Sequence, residues 1–251
     1  MAEEGKSSAS GKKKDKSVRQ LKQREKVEAE VFDKPTLISI SKIMKKGIIA
    51  NLDYPVSTGK EANIFKATAP SGASLAVKIY KITTSPFFRK QDYMVGDPRF
   101  EKIKWSEREV VFAFARKEFS NLEICEKSGV PAPKPIFLQN NVLVLGFLGE
   151  QDLPYPTLVQ TVAEERFLDD ILESVRKLYK AGLVHGDLSE YNVMIGNDGT
   201  AYLIDWGQGV VLAHPKAEEF LERDVRNVLN FFRKFGFAGE NEKTMEWIRS
   251  E

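Results

Sequence analysis

The chain is poor in the features that mark several protein classes. One cysteine, Cys125, among 251 residues excludes an intrachain disulfide and any multi-cysteine metal site, and it fits a reducing cytoplasm. Buried in a helix, it would serve packing rather than chemistry. No apolar run approaches the ~20 residues that a bilayer-spanning helix needs. The N-terminus is polar and carries no secretory signal, so the expectation is a cytoplasmic protein with no membrane partner. No internal repeat is present. Charge of one sign is also scarce overall, at a net +2, yet residues 1–28 hold nine Lys/Arg against five Asp/Glu. A basic tail precedes a nearly neutral body.

What is present is an ordinary globular composition, 42% hydrophobic and 29% charged, on a chain long enough for two lobes sharing a cleft. Residues 1–28 are expected to be a disordered basic tail able to touch RNA without specificity. Residues 29–53 read as a helical extension, in which Thr36 caps a helix through Leu37, Ile40, Ile43 and Met44 that Gly47 ends.

The most informative stretch is 183–205, LVHGDLSEYNVMIGNDGTAYLID. Two apolar runs, Val193 to Ile195 and Tyr202 to Ile204, flank the turn-forming Gly196-Asn197-Asp198-Gly199, which predicts a β-hairpin. Antiparallel pairing brings Asn192 beside Asp205, 13 positions away, with Asp187 in the loop just upstream. Two carboxylates and an amide oxygen are the donors that a hard cation such as Mg²⁺ prefers. The spacing H-x-D-x₄-N followed by D-x-G is that of the catalytic and metal-binding loops of protein kinases.

Earlier in the chain two β-type runs meet at a Pro70-Ser71-Gly72 turn, with the loop Ser57-Thr58-Gly59-Lys60-Glu61-Ala62 at the entrance to the first. Small residues there would let backbone N–H groups approach phosphates. The loop is neither GxGxxG nor a Walker sequence. The second run, Leu75-Ala76-Val77-Lys78-Ile79, places a lysine in an apolar strand, where its charge needs a partner. Residues 83–100 read as a long loop with few candidates for burial. From Glu101 to Glu126 a helical period sets Phe114, Glu118 and Leu122 on one face, making Glu118 the candidate partner of Lys78, with Glu107 and Glu109 as alternatives. Strands at Pro135–Leu138 and Val142–Leu148 follow, the latter running into a hinge, Leu145 to Leu148. Amphipathic helices are expected over Glu164–Ala181, after Pro215, and around Trp247.

In this order, and with these forms of the motifs (STGKEA, LVHGDLSEYN and LIDWGQGV), the chain resembles the RIO family of atypical serine protein kinases over residues 30 to about 235. STGKEA resembles the subfamily without a winged-helix domain. The resemblance implies an α+β, bilobal, protein-kinase-like fold: a small β-rich N-lobe, 54–148, and a helical C-lobe, 149–251, lacking an activation loop and peptide-docking segment. It implies ATP and Mg²⁺ as cofactors. Ser57, Lys60 and Glu61 would belong to the phosphate loop, and Lys78, supported by Glu118, would orient the α- and β-phosphates. Leu145, Gly146 and Leu148 would flank the adenine, Asn192 and Asp205 would hold Mg²⁺, and Asp187 would accept the substrate hydroxyl proton. Gly146 stands where the family is expected to have an acidic residue. Gly186 replaces the arginine of H-R-D, and fewer than ten residues separate Gly207 from Pro215, too few for an activation loop. The resemblance further implies serine autophosphorylation and action on the pre-ribosomal small subunit and its RNA, with ATP hydrolysis driving release. The 83–100 loop joins the strand of Lys78 to the helix of Glu118, so its hydroxyls at Thr83, Thr84 and Ser85 are tethered near the cleft and an acceptor serine or threonine is expected there, Ser85 and the nearby Ser106 being the leading serines. A small-molecule kinase of the aminoglycoside or choline type and a non-catalytic nucleotide-sensing module are the competing readings.

Overall fold

The computed structural model describes residues 32–82, 92–101, 103, 106–237 and 239–250. The expected basic tail, the first residues of the helical extension, and Thr83, Thr84 and Ser85 lie outside the described residues.

The first lobe is built on a fully antiparallel five-stranded sheet. Its strands are β1 (Asn51–Thr58), β2 (Ala62–Thr68), β3 (Ser74–Tyr80), β4 (Pro135–Gln139) and β5 (Val142–Gly146), in the order β1-β2-β3-β5-β4. In β3 the pleat sends Leu75, Val77 and Ile79 into a core with Ile40, Ile43 and Val144, and turns Ala76, Lys78 and Tyr80 toward the cleft. Helix α1 (Lys34–Lys45) covers that core with Ile40 and Ile43, while Leu37 and Met44 stay exposed.

Three expectations are corrected here. The α1 cap is Asp33, whose carboxylate accepts the Thr36 N–H; Thr36 is buried inside the helix, where its hydroxyl accepts from Asn141. Strand β1 begins at Asn51, three residues inside the stretch expected to be helical, so the Ser57–Ala62 loop is the turn between two paired strands. Helix α2 (Glu107–Lys127) starts six residues later than its periodicity suggested, because Ser106 caps it through the Glu109 N–H.

The loop before α2 also buries more than expected: Met94, Asp97 and Phe100 are all inside, Phe100 packing edge-on against Phe114. A proline opens the short 3₁₀ turn Pro98–Phe100 and Asp97 caps it.

The second lobe has a larger core and is mainly helical. It contains β6 (Gly149–Glu150) and β7 (Leu153–Pro154), α3 (Glu165–Lys180), β8 (Leu183–Val184), β9 (Val193–Ile195), β10 (Ala201–Leu203), β11 (Val210–Val211), α4 (Ala217–Arg233) and α5 (Asn241–Arg249). Gly182 ends α3 at φ +83°, as its position after the periodic run predicted. The hairpin β9–β10 forms in the expected place, its register one residue earlier at the second strand: Val193 faces Leu203. Cys125 is fully buried in α2, and burial pushes its thiol pKa up, which suits packing rather than reactivity.

Candidate active site

A cleft of about 570 Å³ lies between the lobes. Ser57, Lys60, Glu61, Lys78, Glu118, Leu145, Gly146, Leu148, Asp187, Asn192 and Asp205 all line it. Residues separated by well over a hundred positions therefore share one wall system, and the elements explain why. The β1–β2 turn forms the roof and β3 the back. Helix α2 presents Phe114, Glu118 and Leu122 along one face, and the loop and hairpin of the second lobe form the floor.

Lys78 is the centre of the charge arrangement. Its ammonium lies 2.8 Å from Glu118 Oε1 and 2.8 Å from Asp205 Oδ1. The partner is thus Glu118; Glu107 and Glu109 sit on the first turn of α2. Lys78 is 8% exposed, because Glu118, Tyr80 and the Asp205 segment close over it. Burial alone would lower its pKa, but the carboxylates of Asp205 and Glu118 more than reverse this and hold it above the ordinary lysine value. Tyr80 donates its hydroxyl to the other oxygen of Glu118.

On the floor, the Asn192 amide nitrogen donates to the Asp187 carbonyl at 2.7 Å, and the Ile204 N–H donates to the Asn192 carbonyl at 3.0 Å. These bonds fix the loop to the open end of the hairpin. Asp205 adopts φ +63°, a left-handed conformation that costs a non-glycine residue of order 1–2 kcal/mol and that concentrates at functional sites. Its side chain is 50% exposed, so the carboxylate faces the cleft as well as Lys78. Among the described residues no three His, Cys, Asp or Glu side chains group as a metal site. The available donor set is one carboxylate and one amide oxygen, the sparse kind Mg²⁺ takes together with phosphate and water.

At the hinge, the Gly146 N–H is taken by the Lys134 carbonyl at 2.8 Å and the Leu148 carbonyl accepts from the Tyr155 N–H at 3.0 Å. Ser106 is already engaged as the α2 cap.

Four functional neighbours were not foreseen. Gln208 donates to Asp187 Oδ2 at 2.6 Å. Asp224, buried in α4, accepts the N–H groups of Gly186 at 2.7 Å and Leu188 at 2.9 Å, clamping the backbone on both sides of Asp187. Burial pushes its carboxyl up to about 7, against the pull of those donors. His185 is buried, its Nε2–H donating to the Ile204 carbonyl at 2.9 Å while Nδ1 accepts the Asp187 N–H; burial lowers its pKa to about 4 and keeps the ring neutral. Arg223 donates to the Gly186 carbonyl and to the Tyr93 hydroxyl. A signal existed for Asp224: it interrupts the apolar stripe of Leu221, Val225 and Val228.

Comparison with known proteins bears on the family and the fold. The family profile described as the RIO domain matches residues 63–245. The chain is 46% identical over 228 residues to the RIO-type serine/threonine-protein kinase Rio1 of Haloferax volcanii, covering 90% of this chain and 78% of that one. It is 40% identical over 177 residues to the Rio1 kinase of Thermoplasma acidophilum, covering 70% of this chain and 94% of the relative. Against the human serine/threonine-protein kinase RIO1 the identity is 38% over 217 residues, 83% of this chain but only 38% of the human protein. Among solved structures, the Rio2 kinase of Chaetomium thermophilum in an ADP/Mg²⁺-phosphoaspartate complex aligns with a TM-score of 0.64 at 20% identity, over 85% of this chain and 66% of that one, which speaks for the bilobal kinase-like fold.

Proposed function

The chain belongs to the RIO family and is an atypical protein kinase, and from that premise we propose that it uses ATP and Mg²⁺ to phosphorylate serine, its own included. The observation that carries this reading is the Lys78 ammonium held between Glu118 and Asp205 in a cleft that also contains Asp187 and Asn192. The Asn192 nitrogen is engaged by the loop, which leaves its oxygen as the ligating end beside the half-exposed Asp205. Mg²⁺ held by these two would supply charge neutralisation for the phosphoryl group.

The chain's own residues do the rest. Lys78, kept charged by its carboxylates, would hold the α- and β-phosphates; Ser57, Lys60 and Glu61 at the β1–β2 turn would cover them; and Leu145, Gly146 and Leu148 would flank the purine. As a serine oxygen bonds to the γ-phosphorus, the bond to the β,γ-bridging oxygen breaks, ADP leaves with the electron pair, and the serine proton passes to Asp187. Positioning and electrostatics supply most of the rate.

The STGKEA turn and the identity to proteins named Rio1 support the Rio1-type branch, the one without a winged helix. The family resemblance also supports a cytoplasmic role in maturation of the small ribosomal subunit, in which residues 1–28 add affinity for RNA through counterion release. The Rio2 complex contains a phosphoaspartate, so ATP hydrolysis through an aspartyl phosphate is the second activity to score. A single-turnover assay with γ-labelled ATP separates the outcomes: hydroxylamine-stable phosphoprotein supports serine transfer, hydroxylamine-sensitive label or free phosphate supports the ATPase, and no reaction refutes both.

A further inference from the structure

Gln208 touches the proton acceptor and has no part in the scheme above. Its Nε2 lies 2.6 Å from Asp187 Oδ2, and its backbone is held from behind by a buried polar frame. Lys117, 1% exposed, donates to the Gln208 carbonyl at 3.4 Å and the Tyr93 carbonyl at 3.0 Å. One turn further along α2, Asn121 donates to the carbonyls of Trp206 and Gly209, each at 2.9 Å, bracketing Gln208 on both sides. Arg99, forked onto the buried Asp97 at 2.6 Å, bonds Asn121 Oδ1 at 2.7 Å and the Gly209 carbonyl at 3.2 Å. Three cationic or amide side chains thus pin the backbone carbonyls of a four-residue stretch, and the side chain left over from that stretch points at Asp187.

We propose that Gln208 is a positioning residue for Asp187, aimed by Lys117, Asn121 and Arg99, and that this frame stands in for the missing activation segment. An aspartate is free to turn about its terminal torsion; an N–H bonded to Oδ2 fixes that turn and orients the carboxylate for the incoming hydroxyl proton. The frame is assembled by folding, through buried Asp97 and Lys117, and so needs no phosphate to order it. The close approach of the two segments is visible at Gly186, where a Cβ would stand 3.0 Å from the Gln208 carbonyl.

The inference rests on Asp187 being the proton acceptor, and the test separates the two. Single-turnover transfer from γ-labelled ATP and Mg-ATP affinity are measured on the full chain and on Gln208→Ala, Gln208→Glu, Lys117→Met and Asp187→Ala. A 1 Å misplacement of a reacting group costs on the order of 100-fold, so Gln208→Ala should transfer about 10- to 100-fold more slowly with Mg-ATP affinity unchanged. Gln208→Glu keeps the shape but sets carboxylate against carboxylate, and should fall at least as far; a purely structural role would spare it. Lys117→Met should fall in the same direction by less, and if it does not fold, the Gln208 pair decides. Wild-type rates in both Gln208 variants with Asp187→Ala inactive overturn the positioning role alone. Losses matched by weaker Mg-ATP binding, or a spared Gln208→Glu, overturn it too. An active Asp187→Ala overturns the reading beneath it.

Discussion

Lys78 reaches Asp205 at 2.8 Å across 127 positions of sequence, and with Glu118 bonded to the same ammonium the three form a triad in which Lys78 and Glu118 are buried and Asp205 is half-exposed. Removing the cation strands Glu118, which is 2% exposed. Breaking a buried pair by deleting one partner costs about 3–5 kcal/mol. Lys78→Ala should therefore abolish most transfer and also destabilise by a few kcal/mol, whereas Glu118→Gln, which still accepts a hydrogen bond, should slow turnover with a smaller stability loss. Urea unfolding beside the transfer assay checks both; a Lys78→Ala chain as stable as the wild type would show the triad to be solvated.

Asp205 and Asn192 should be needed for Mg²⁺-dependent nucleotide binding and not for folding. Because Asp205 sits at φ +63°, the informative change is Asp205→Asn, since asparagine tolerates that backbone and removes only the charge. Asp205→Asn and Asn192→Ala should each weaken ATP binding in Mg²⁺ much more than in EDTA. Unchanged Mg-ATP affinity in both would refute the metal assignment.

Two buried groups beside Asp187 titrate in opposite senses. His185, lowered from 6.5 to about 4, is neutral in the fold while the unfolded chain takes up a proton, so stability falls as pH drops through that window. Asp224, raised from 3.8 to about 7, holds its proton longer in the fold, so stability falls as pH rises from 3.8 toward 7. At 1.36 kcal/mol per unit each effect is on the order of 3–4 kcal/mol, and they oppose. Relative to the wild type, Asp224→Asn should make stability rise more steeply with pH between about 4 and 7, and His185→Gln should tilt it the other way. Denaturation at a series of pH values reads the slopes; parallel curves for all three chains would contradict the assignment.

Gly186 occupies φ +78° with the Gln208 carbonyl 3.0 Å from where a Cβ would be. Gly186→Ala should cost about 1–2 kcal/mol from the left-handed backbone alone and slow transfer by displacing Gln208. Gly186→Arg, which restores the ordinary kinase residue, should do worse, since the position has no room for it. A Gly186→Arg chain with full activity would show that the contact relaxes in solution.

Much of this architecture was legible because it rests on local periodicity. The hairpin turn, the Phe114–Glu118–Leu122 face and the lysine in an apolar strand each follow from spacing within one element. Strand β1 was not legible, because it is an edge strand with most residues exposed and Pro55 within it, so no alternation marks it. The burial of Lys78 depends on lobes meeting, which no single window contains. Gln208 acts on the carboxylate of Asp187 and Asp224 on the backbone N–H groups of Gly186 and Leu188, partners that lie 21 or more positions away; only Asp224, a charge on an apolar stripe, left a trace in the pattern.

The β9–β10 hairpin has a consequence for the order of assembly. Asp187, Asn192 and Asp205 come from one short stretch closed by a tight turn, so the oxygen cluster requires little loop-closure entropy to form. The Lys78 contact must instead wait for the chain between the lobes to be in place. A partly folded molecule would hold the cation-seeking half of the site without the cation that balances it. If Mg-ATP is held as proposed, by Lys78 on one lobe and Asn192 and Asp205 on the other, it would therefore act as a late folding ligand, favouring the folded state by mass action and protecting the interlobe amides from exchange before those of either core.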